Sequence, residues 1–134
     1  MENRTLAIIK PDAVKNGTTG KIYDRILNVG FKILGAKLIR MTLAQAEGFY
    51  AVHTGKPFYL ELTEFMSSGQ SMVLVLGKEN AVTFWREIIG DTNPKKAAEG
   101  TIRRDFATSI GANAVHGSDS IENAEKEIGF FFTE

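Results

Sequence analysis

"SMVLVLG", residues 71–77, is an unbroken apolar run with the length of one strand, and it ends at a glycine. Such a run is typical of a strand that is buried on both faces. A helix is predicted directly after it, over residues 80–90, because Val82, Trp85 and Ile89 recur on one helical face. A buried strand followed by an amphipathic helix predicts a sheet with helices packed against it.

The segments before residue 71 continue this alternation of strands and helices. "TLAIIK" (5–10) predicts a second buried strand, and Pro11 ends it because proline cannot donate to a ladder. Residues 19–30 predict a helix with one apolar stripe and a terminal glycine. Residues 31–41 predict a strand whose alternation changes phase near Gly35, which indicates a β-bulge.

The remaining elements are predicted from capping and turn residues. The segment 42–45 forms a capping box for one helix, and a second helical piece follows Pro57. Near the C-terminus, Asp119 is predicted to cap a helix that ends at Gly129. "FFFT" (130–133) then predicts the last strand.

The order of these elements predicts a fold of the α/β class, an α+β sandwich with the ferredoxin-like βαββαβ pattern. We expect a mainly antiparallel, four-stranded sheet with a helical insertion after the second strand. The segment 91–118 is predicted to be a long loop before the last helix, and loops of this length are usually functional or disordered. No linker or repeat divides the chain, so we expect a single domain over residues 1–134.

Composition excludes several classes of function. The chain has 134 residues, and its 16 Lys and Arg balance its 16 Asp and Glu, which argues against a membrane-surface or general nucleic-acid binder. It has no cysteine, so thiol catalysis and disulfides are excluded. The N-terminal sequence is not a signal peptide, and no apolar run is long enough to cross a bilayer. We therefore expect a cytoplasmic protein, and any anion that it binds must be held by a local cluster of charge.

"NAVHGSDS" (113–120) places a histidine among small and polar residues, where it has no evident packing role. His116 is followed by Gly117, which leaves room beside the ring. The helix predicted to begin after Asp119 points its N–H groups toward this loop, which suits a phosphate. Glu127, on the same helix, could hydrogen-bond a ring nitrogen. The alternative is an ordinary surface histidine, and the sequence leaves that alternative open.

Three basic residues are candidates for binding a phosphate. Arg86 lies late in an apolar helix and Arg103 lies in the long loop, and either could instead be a solvated charge. Lys10 ends a buried strand, and ligands gather at strand ends in such sheets. Phe58 follows a lysine and a proline in the helical insertion, where an aromatic residue more often belongs to the core. His53 is predicted to be structural.

Four segments together resemble the nucleoside diphosphate kinase family. They are "TLAIIKPDAV" at the start, "REIIGDTNP" (86–94), "GTIRRDFA" (100–107) and "NAVHGSDS" (113–120). They occur in the order and spacing of that family, and the resemblance covers essentially the whole chain.

The resemblance implies transfer of the γ-phosphate of a nucleoside triphosphate, typically ATP, to a nucleoside diphosphate. It implies a ping-pong mechanism through a pros-phosphohistidine on His116, with Ser118 and Glu127 supporting the ring. The residues implied for nucleotide binding are Lys10, Tyr50, Phe58, Arg86, Thr92, Arg103 and Asn113. The implied cofactor is Mg²⁺, carried on the nucleotide phosphates rather than on direct protein ligands, with Asp119 as a contact through water.

The resemblance also implies a homo-oligomer built from dimers, either a tetramer or a hexamer. Longer members continue past the point that corresponds to Glu134 with a segment that touches neighbouring subunits, so the choice between the two stays open. No membrane or obligatory nucleic-acid partner is expected.

Two other classes of function are possible for the residues alone. A phosphocarrier would need His116 but no nucleotide site, and a small regulatory domain would need neither.

Overall fold

The sheet is antiparallel, with four strands in the order β2-β3-β1-β4. A computed structural model describes residues 2–132. The strands are β1 (Glu2–Ile9), β2 (Lys32–Arg40), β3 (Gln70–Glu79) and β4 (Val115–Gly117). The α-helices are α1 (Pro11–Lys15), α2 (Thr19–Asn28), α3 (Leu43–Phe49), α4 (Tyr59–Met66), α5 (Ala81–Ile89), α6 (Ile102–Phe106) and α7 (Ile121–Phe131), and a 3₁₀ helix spans Ala51–His53.

The two central strands are buried on both faces, which is why their sequences are apolar without alternation. On β3, Leu74 and Leu76 face one core cluster, while Val73 and Val75 face another. The first cluster includes residues of α2 and α5, and the second includes residues of α3, α4 and α7. The mixed α/β class, the antiparallel sheet and the helical insertion are therefore confirmed.

Local signals in the first two thirds of the chain are confirmed in detail. Thr42 and Gln45 form both hydrogen bonds of the predicted capping box. The pairing of β2 with β3 shifts register between Ile33 and Gly35, which is the predicted bulge. Gly30 follows the end of α2 with φ of +95°, a conformation that glycine adopts at little cost.

The prediction for the last strand was wrong. Residues 130 and 131 belong to α7, which continues past Gly129 to Phe131, and Thr133 lies outside the described residues. Phe130 and Phe131 stay helical because both rings pack against Phe49 of α3, at centroid distances of 5.6 and 5.1 Å. An apolar run of this length is compatible with a strand or with a helix, and tertiary contacts decide between them.

The fourth strand lies instead inside the segment predicted to be a long loop. Residues 115–117 pair with β1, and α6 occupies part of the same segment. The N-cap of α7 is also corrected, because the side chain of Ser120, not that of Asp119, accepts the N–H of Asn123 at 3.0 Å. The βαββαβ pattern holds, with β4 before α7 rather than after it.

Within residues 2–132, no helix has both the length and the apolar character that crossing a membrane requires.

Candidate active site

Pairing with β1 places His116 on one face of the sheet. In the β1–β4 ladder His116 lies opposite Ile8, so its side chain shares the face of the second core cluster. The backbone carbonyl of His116 accepts the indole N–H of Trp85 at 3.1 Å. A Cβ on Gly117 would come within 2.7 Å of Trp85 Cδ1, so only glycine allows the indole this close. The backbone of His116 is therefore held by its pairing with β1 and by the hydrogen bond from Trp85.

The imidazole of His116 is oriented by a carboxylate. His116 Nε2 and Glu127 Oε1 are 2.8 Å apart, and the ring of Phe49 packs edge-on against the imidazole at 5.4 Å. A carboxylate can only accept, so Nε2 carries the proton and Nδ1 keeps its lone pair. Burial lowers the pKa of His116 below its usual value, although Glu127 acts in the opposite direction. The lowered pKa favours the neutral ring near pH 7, which the predicted role of His116 as nucleophile requires.

Glu127 is itself held in place by Ser118. The fully buried hydroxyl of Ser118 donates to Glu127 Oε1 at 2.9 Å and accepts the backbone N–H of Leu6 at 3.2 Å. This chain of hydrogen bonds connects the ring, the carboxylate and the backbone of β1. Each member fixes the next, which is the arrangement expected of a nucleophile supported by an orienting group.

A buried lysine lies close to the ring. Lys10 is 8% exposed, and its Nζ donates to Asn113 Oδ1 at 2.9 Å. The pKa of Lys10 is lowered to about 8, mainly by burial and then by the charge of Arg103, while Asp12 acts in the opposite direction. Asn113 also donates from Nδ2 to the backbone carbonyl of Thr92 at 3.4 Å. The structure thus ties the end of β1 to the loop that carries Thr92.

A guanidinium is fixed beside a small basic hollow. Arg103 donates to the backbone carbonyls of Gly90 at 2.9 Å and Val115 at 3.0 Å, while its buried Nε has no hydrogen-bond partner among the described residues. Burial and the neighbouring Arg86 lower its pKa to about 10, so it stays charged at neutral pH. Arg86 and Thr92 are exposed and line the same hollow of about 220 Å³.

Two larger clefts meet at the histidine. One of about 710 Å³ is lined by Lys10, Tyr50, Phe58, Asn113 and His116, among others. The second, of about 620 Å³, is lined by Arg86, Asp119 and Glu127, among others, and the two clefts share Tyr50, Thr92 and His116. The structure therefore brings the ten residues selected from the sequence, and Asp119, to one connected region.

The chain is similar to known proteins over almost its whole length. The family model described as "Nucleoside diphosphate kinase" matches residues 3–134. The chain belongs to the nucleoside diphosphate kinase family. A nucleoside diphosphate kinase of Campylobacter fetus is 59% identical over 129 residues, which cover 96% of this chain and 94% of the relative.

Solved structures agree. The chain superposes on the nucleoside diphosphate kinase of Aquifex aeolicus with a TM-score of 0.97 and 47% identity, covering 99% of this chain and 96% of that one. It superposes on the enzyme of Halobacterium salinarum in complex with CDP with a TM-score of 0.95 and 36% identity, covering 100% of this chain and 90% of that one. This nucleoside diphosphate kinase is therefore a phosphotransferase that acts between nucleoside triphosphates and diphosphates.

Enzymes that transfer phosphoryl groups generally use a divalent metal ion. Among residues 2–132, no group of three or more His, Asp or Glu side chains is arranged to hold such an ion. The charged side chains that line the hollow are Arg86, Arg103 and Asp91, and this excess of positive charge suits a metal that arrives with polyphosphate oxygens as its ligands. Asp119 is the exposed carboxylate of the second cleft, and its hydrogen bond from Asn123 lowers its pKa. The donor set therefore fits a metal bound through the nucleotide.

Several residues of the site were not identified from the sequence. Trp85 was predicted only as part of an apolar helical face, and Phe49 lies on α3, yet both contact His116. Ile110 is 59% exposed and lines the same cleft as Phe58. Ala114 has φ of +73°, although nothing in its side chain indicates a left-handed residue. Such a conformation costs on the order of 1–3 kcal/mol, and only a structure could show it.

Proposed function

We propose that this nucleoside diphosphate kinase carries the transferred phosphate on Nδ1 of His116. The γ-phosphate comes from a nucleoside triphosphate, typically ATP. In the first step the Nδ1 lone pair bonds to the γ-phosphorus while the bond to the β–γ bridging oxygen breaks and the diphosphate leaves. In the second step an oxygen of another nucleoside diphosphate takes the phosphoryl group, and the free imidazole is restored. The reaction is then ping-pong, and it serves to balance nucleoside triphosphate pools.

The observation that carries this proposal is the 2.8 Å contact between His116 Nε2 and Glu127. With Nε2 protonated, a bond from Nδ1 to phosphorus gives the ring a positive charge. The carboxylate beside Nε2 stabilises that charge as it develops, and Ser118 keeps the carboxylate in place. The same contact orients the ring, so in-line attack needs little rearrangement.

The basic residues are proposed to neutralise the transferring phosphate. Arg86, Arg103 and Thr92 line the hollow beside His116, and Lys10 lies at the neighbouring strand end. Charge on a phosphoryl group in flight is spread over its oxygens, so several donors from different directions stabilise it best. Arg103 supports this role because two backbone carbonyls hold it rigidly before any ligand arrives.

The nucleoside is proposed to occupy the larger cleft. Phe58 is 47% exposed at the start of α4 and offers a ring face for stacking, which is tolerant of base identity. Asn113 and Lys10 form a polar pair that lines the same cleft as Phe58 and His116, and this pair is proposed to bind sugar hydroxyls. Tyr50 lines the same cleft, and its buried hydroxyl has no hydrogen-bond partner within the described chain.

The proposed metal is Mg²⁺, because it prefers phosphate oxygens and keeps several waters. It would be held by the nucleotide phosphates, with Asp119 as a contact through water. When bound, Mg²⁺ neutralises negative charge on the phosphates. Arg86 and Arg103 neutralise charge as well, and they stay in place between turnovers.

The oligomer is proposed to be built from dimers, as a tetramer or a hexamer. Support comes from β2, which is an edge strand of the sheet and carries the half-exposed Leu34 and Leu38. Exposed apolar edges are typical of surfaces that pair with another chain. A cytoplasmic location stays a prediction, supported by the absence of cysteine.

A labelling experiment tests the proposed function. Purified protein is incubated with Mg²⁺ and ATP labelled at the γ-phosphate, the nucleotide is removed, and GDP is added. We expect acid-labile label on the protein that moves to GTP, and neither label nor transfer with His116→Ala. His53→Ala is the matched control, because it removes the other histidine. Turnover like that of the wild type in His116→Ala would refute the mechanism, and label only in the presence of a partner enzyme would favour a phosphocarrier.

A further inference from the structure

A tight turn separates the two halves of the site. Ala114 has φ of +73°, and the N–H of Val115 donates to the carbonyl of Asn113 at 2.9 Å across it. Asn113 comes directly before this turn and His116 follows two residues after Ala114. Any relaxation of Ala114 would therefore move the amide that holds Lys10 relative to the imidazole.

Both polar backbone groups of Ala114 are held by the start of α1. The N–H of Ala114 donates to Asp12 Oδ2 at 3.1 Å, and its carbonyl accepts the backbone N–H of Lys10 at 2.8 Å. The second bond continues the ladder of β1 with β4, whereas the first comes from a side chain. Asp12 is thus the side chain that fixes the strained residue, across a sequence separation of 102 residues.

We propose that Asp12 is a positioning residue for phosphoryl transfer in this chain. Its carboxylate holds Ala114 in the left-handed conformation, and this sets the distance between the Lys10–Asn113 pair and His116. The inference rests on the proposed role of His116 as the phosphate carrier. Asp12 does not have to touch nucleotide, because it acts through the backbone.

The geometry explains why a carboxylate serves here. A strained residue persists only where its surroundings over-determine it, and a charged acceptor forms a stronger bond to an amide than a neutral one does. Asp12 lies in the first turn of α1, so the helix and Pro11 hold its backbone. Its Oδ1 is buried without a partner in the described chain, so the carboxylate is committed to Ala114 through Oδ2.

The test is single-turnover phosphorylation by labelled ATP at saturating concentration, in the full chain. We expect Asp12→Ala to slow labelling of His116 about 10- to 100-fold, the size typical of residues that act through a ligand or nucleophile. Asp12→Asn keeps an acceptor oxygen, so it should stay within about fivefold of the wild type. Nucleotide affinity should change less than the rate in both variants.

A double substitution separates positioning from general destabilisation. Glycine adopts a positive φ readily, so Ala114→Gly removes the strain that Asp12 opposes. Asp12→Ala should therefore slow the labelling of His116 clearly less in the Ala114→Gly background than in the wild type. Asp24→Ala, an exposed carboxylate on α2, is the matched control and should label at the wild-type rate. If the effects of Asp12→Ala and Ala114→Gly on the labelling rate simply add in the double variant, Asp12 does not act through the turn.

The outcomes distinguish the inference from the function on which it rests. If the wild type takes no label, the proposed function fails and Asp12 has no such role. If the wild type is labelled and Asp12→Ala matches it, or Asp12→Asn loses as much as Asp12→Ala, the inference alone is overturned. Should Asp12→Ala fail to fold, Asp12→Glu replaces it, since it keeps the charge and displaces the carboxylate. If Asp12→Glu is labelled more slowly than Asp12→Asn, the positioning role is supported. If Asp12→Glu is labelled faster, the positioning role is overturned.

Discussion

At the scale of single residues, the chemistry depends on which nitrogen of His116 is free. Glu127 occupies Nε2, and Ser118 holds Glu127, so the tautomer is fixed by two successive hydrogen bonds. The neighbouring charges of Lys10 and Arg103 also disfavour a second proton on the ring. A neutral nucleophile beside cations is well suited to attack a polyanion.

The first prediction at this scale concerns Glu127. Glu127→Ala should slow phosphorylation of His116 by about 10- to 100-fold with little change in nucleotide affinity. Glu127→Gln keeps an acceptor but loses the charge, so it should fall between Glu127→Ala and the wild type. The measurement is single-turnover labelling at saturating ATP, with Glu122→Ala, an exposed carboxylate on the same helix, as the control. A Glu127 variant that binds poorly yet transfers normally once saturated would contradict this role.

The second prediction concerns pH and Lys10. Burial is the main cause of its lowered pKa of about 8, with Arg103 acting in the same direction and Asp12 against it. Lys10 is charged below about pH 8 and loses its charge above it, so KM for nucleotides should rise as pH increases through that value. Lys10→Arg should flatten this rise, because a guanidinium stays protonated. An unchanged rise in Lys10→Arg would assign it to another group.

At the scale of elements, the sequence predicts best where periodicity and capping agree. Strands β1 and β3, helices α2 and α5, and the bulge in β2 were all predictable from apolar pattern and turn residues. Strand β4 was not, because three residues that contain histidine and glycine carry no alternation. The pairing with β1 supplies what the sequence of β4 lacks.

The candidate site divides in the same way, between residues that the sequence indicates and residues whose roles only the folded structure shows. Its histidine, arginines and lysine were candidates from the residues alone, with a surface or solvated role left open, and the resemblance to the family selected them. Asp12, Trp85 and Ala114 were not candidates, because their roles arise from contacts between distant segments. The bond from Ala114 to Asp12, for example, spans 102 residues. Such contacts leave no local periodicity or spacing to read.

The prediction at this scale tests how β4 is held. Gly117→Ala would place a Cβ 2.7 Å from Trp85 Cδ1, so either the indole or the strand must move. We expect a loss of about 1–3 kcal/mol in the free energy of unfolding, together with slower labelling of His116. Gly129→Ala in α7 meets no atom within 4 Å and should be neutral or stabilising. Chemical denaturation of both variants is the measurement, and equal stabilities would contradict the packing argument.

At the scale of the whole molecule, the sheet has two unlike edges. Strand β4 forms one edge and has only three residues, whereas β2 forms the other with nine. Ala36, Lys37 and Leu38 are exposed in succession on β2, and Leu34, which is also exposed, lies at the bulge that interrupts the alternation. Such an edge leaves backbone groups free to pair and apolar side chains exposed, and no further strand among residues 2–132 covers it. A second copy related by a two-fold axis would pair with the free backbone groups of β2 and cover its exposed apolar side chains.

The last prediction follows from that edge. Charges placed on the exposed leucines of this edge would be buried on pairing, so Leu34→Glu combined with Leu38→Glu should shift the protein to a smaller species. Sedimentation at matched concentration measures this, and Leu60→Glu, which changes a 70% exposed leucine on α4, is the control. Because the candidate site residues lie together within one chain, we expect the smaller species to take label on His116. Its thermal stability should be lower, since subunit contacts stabilise by mass action. An unchanged mass would move the interface away from β2, and loss of label at full folding would mean that assembly completes the site.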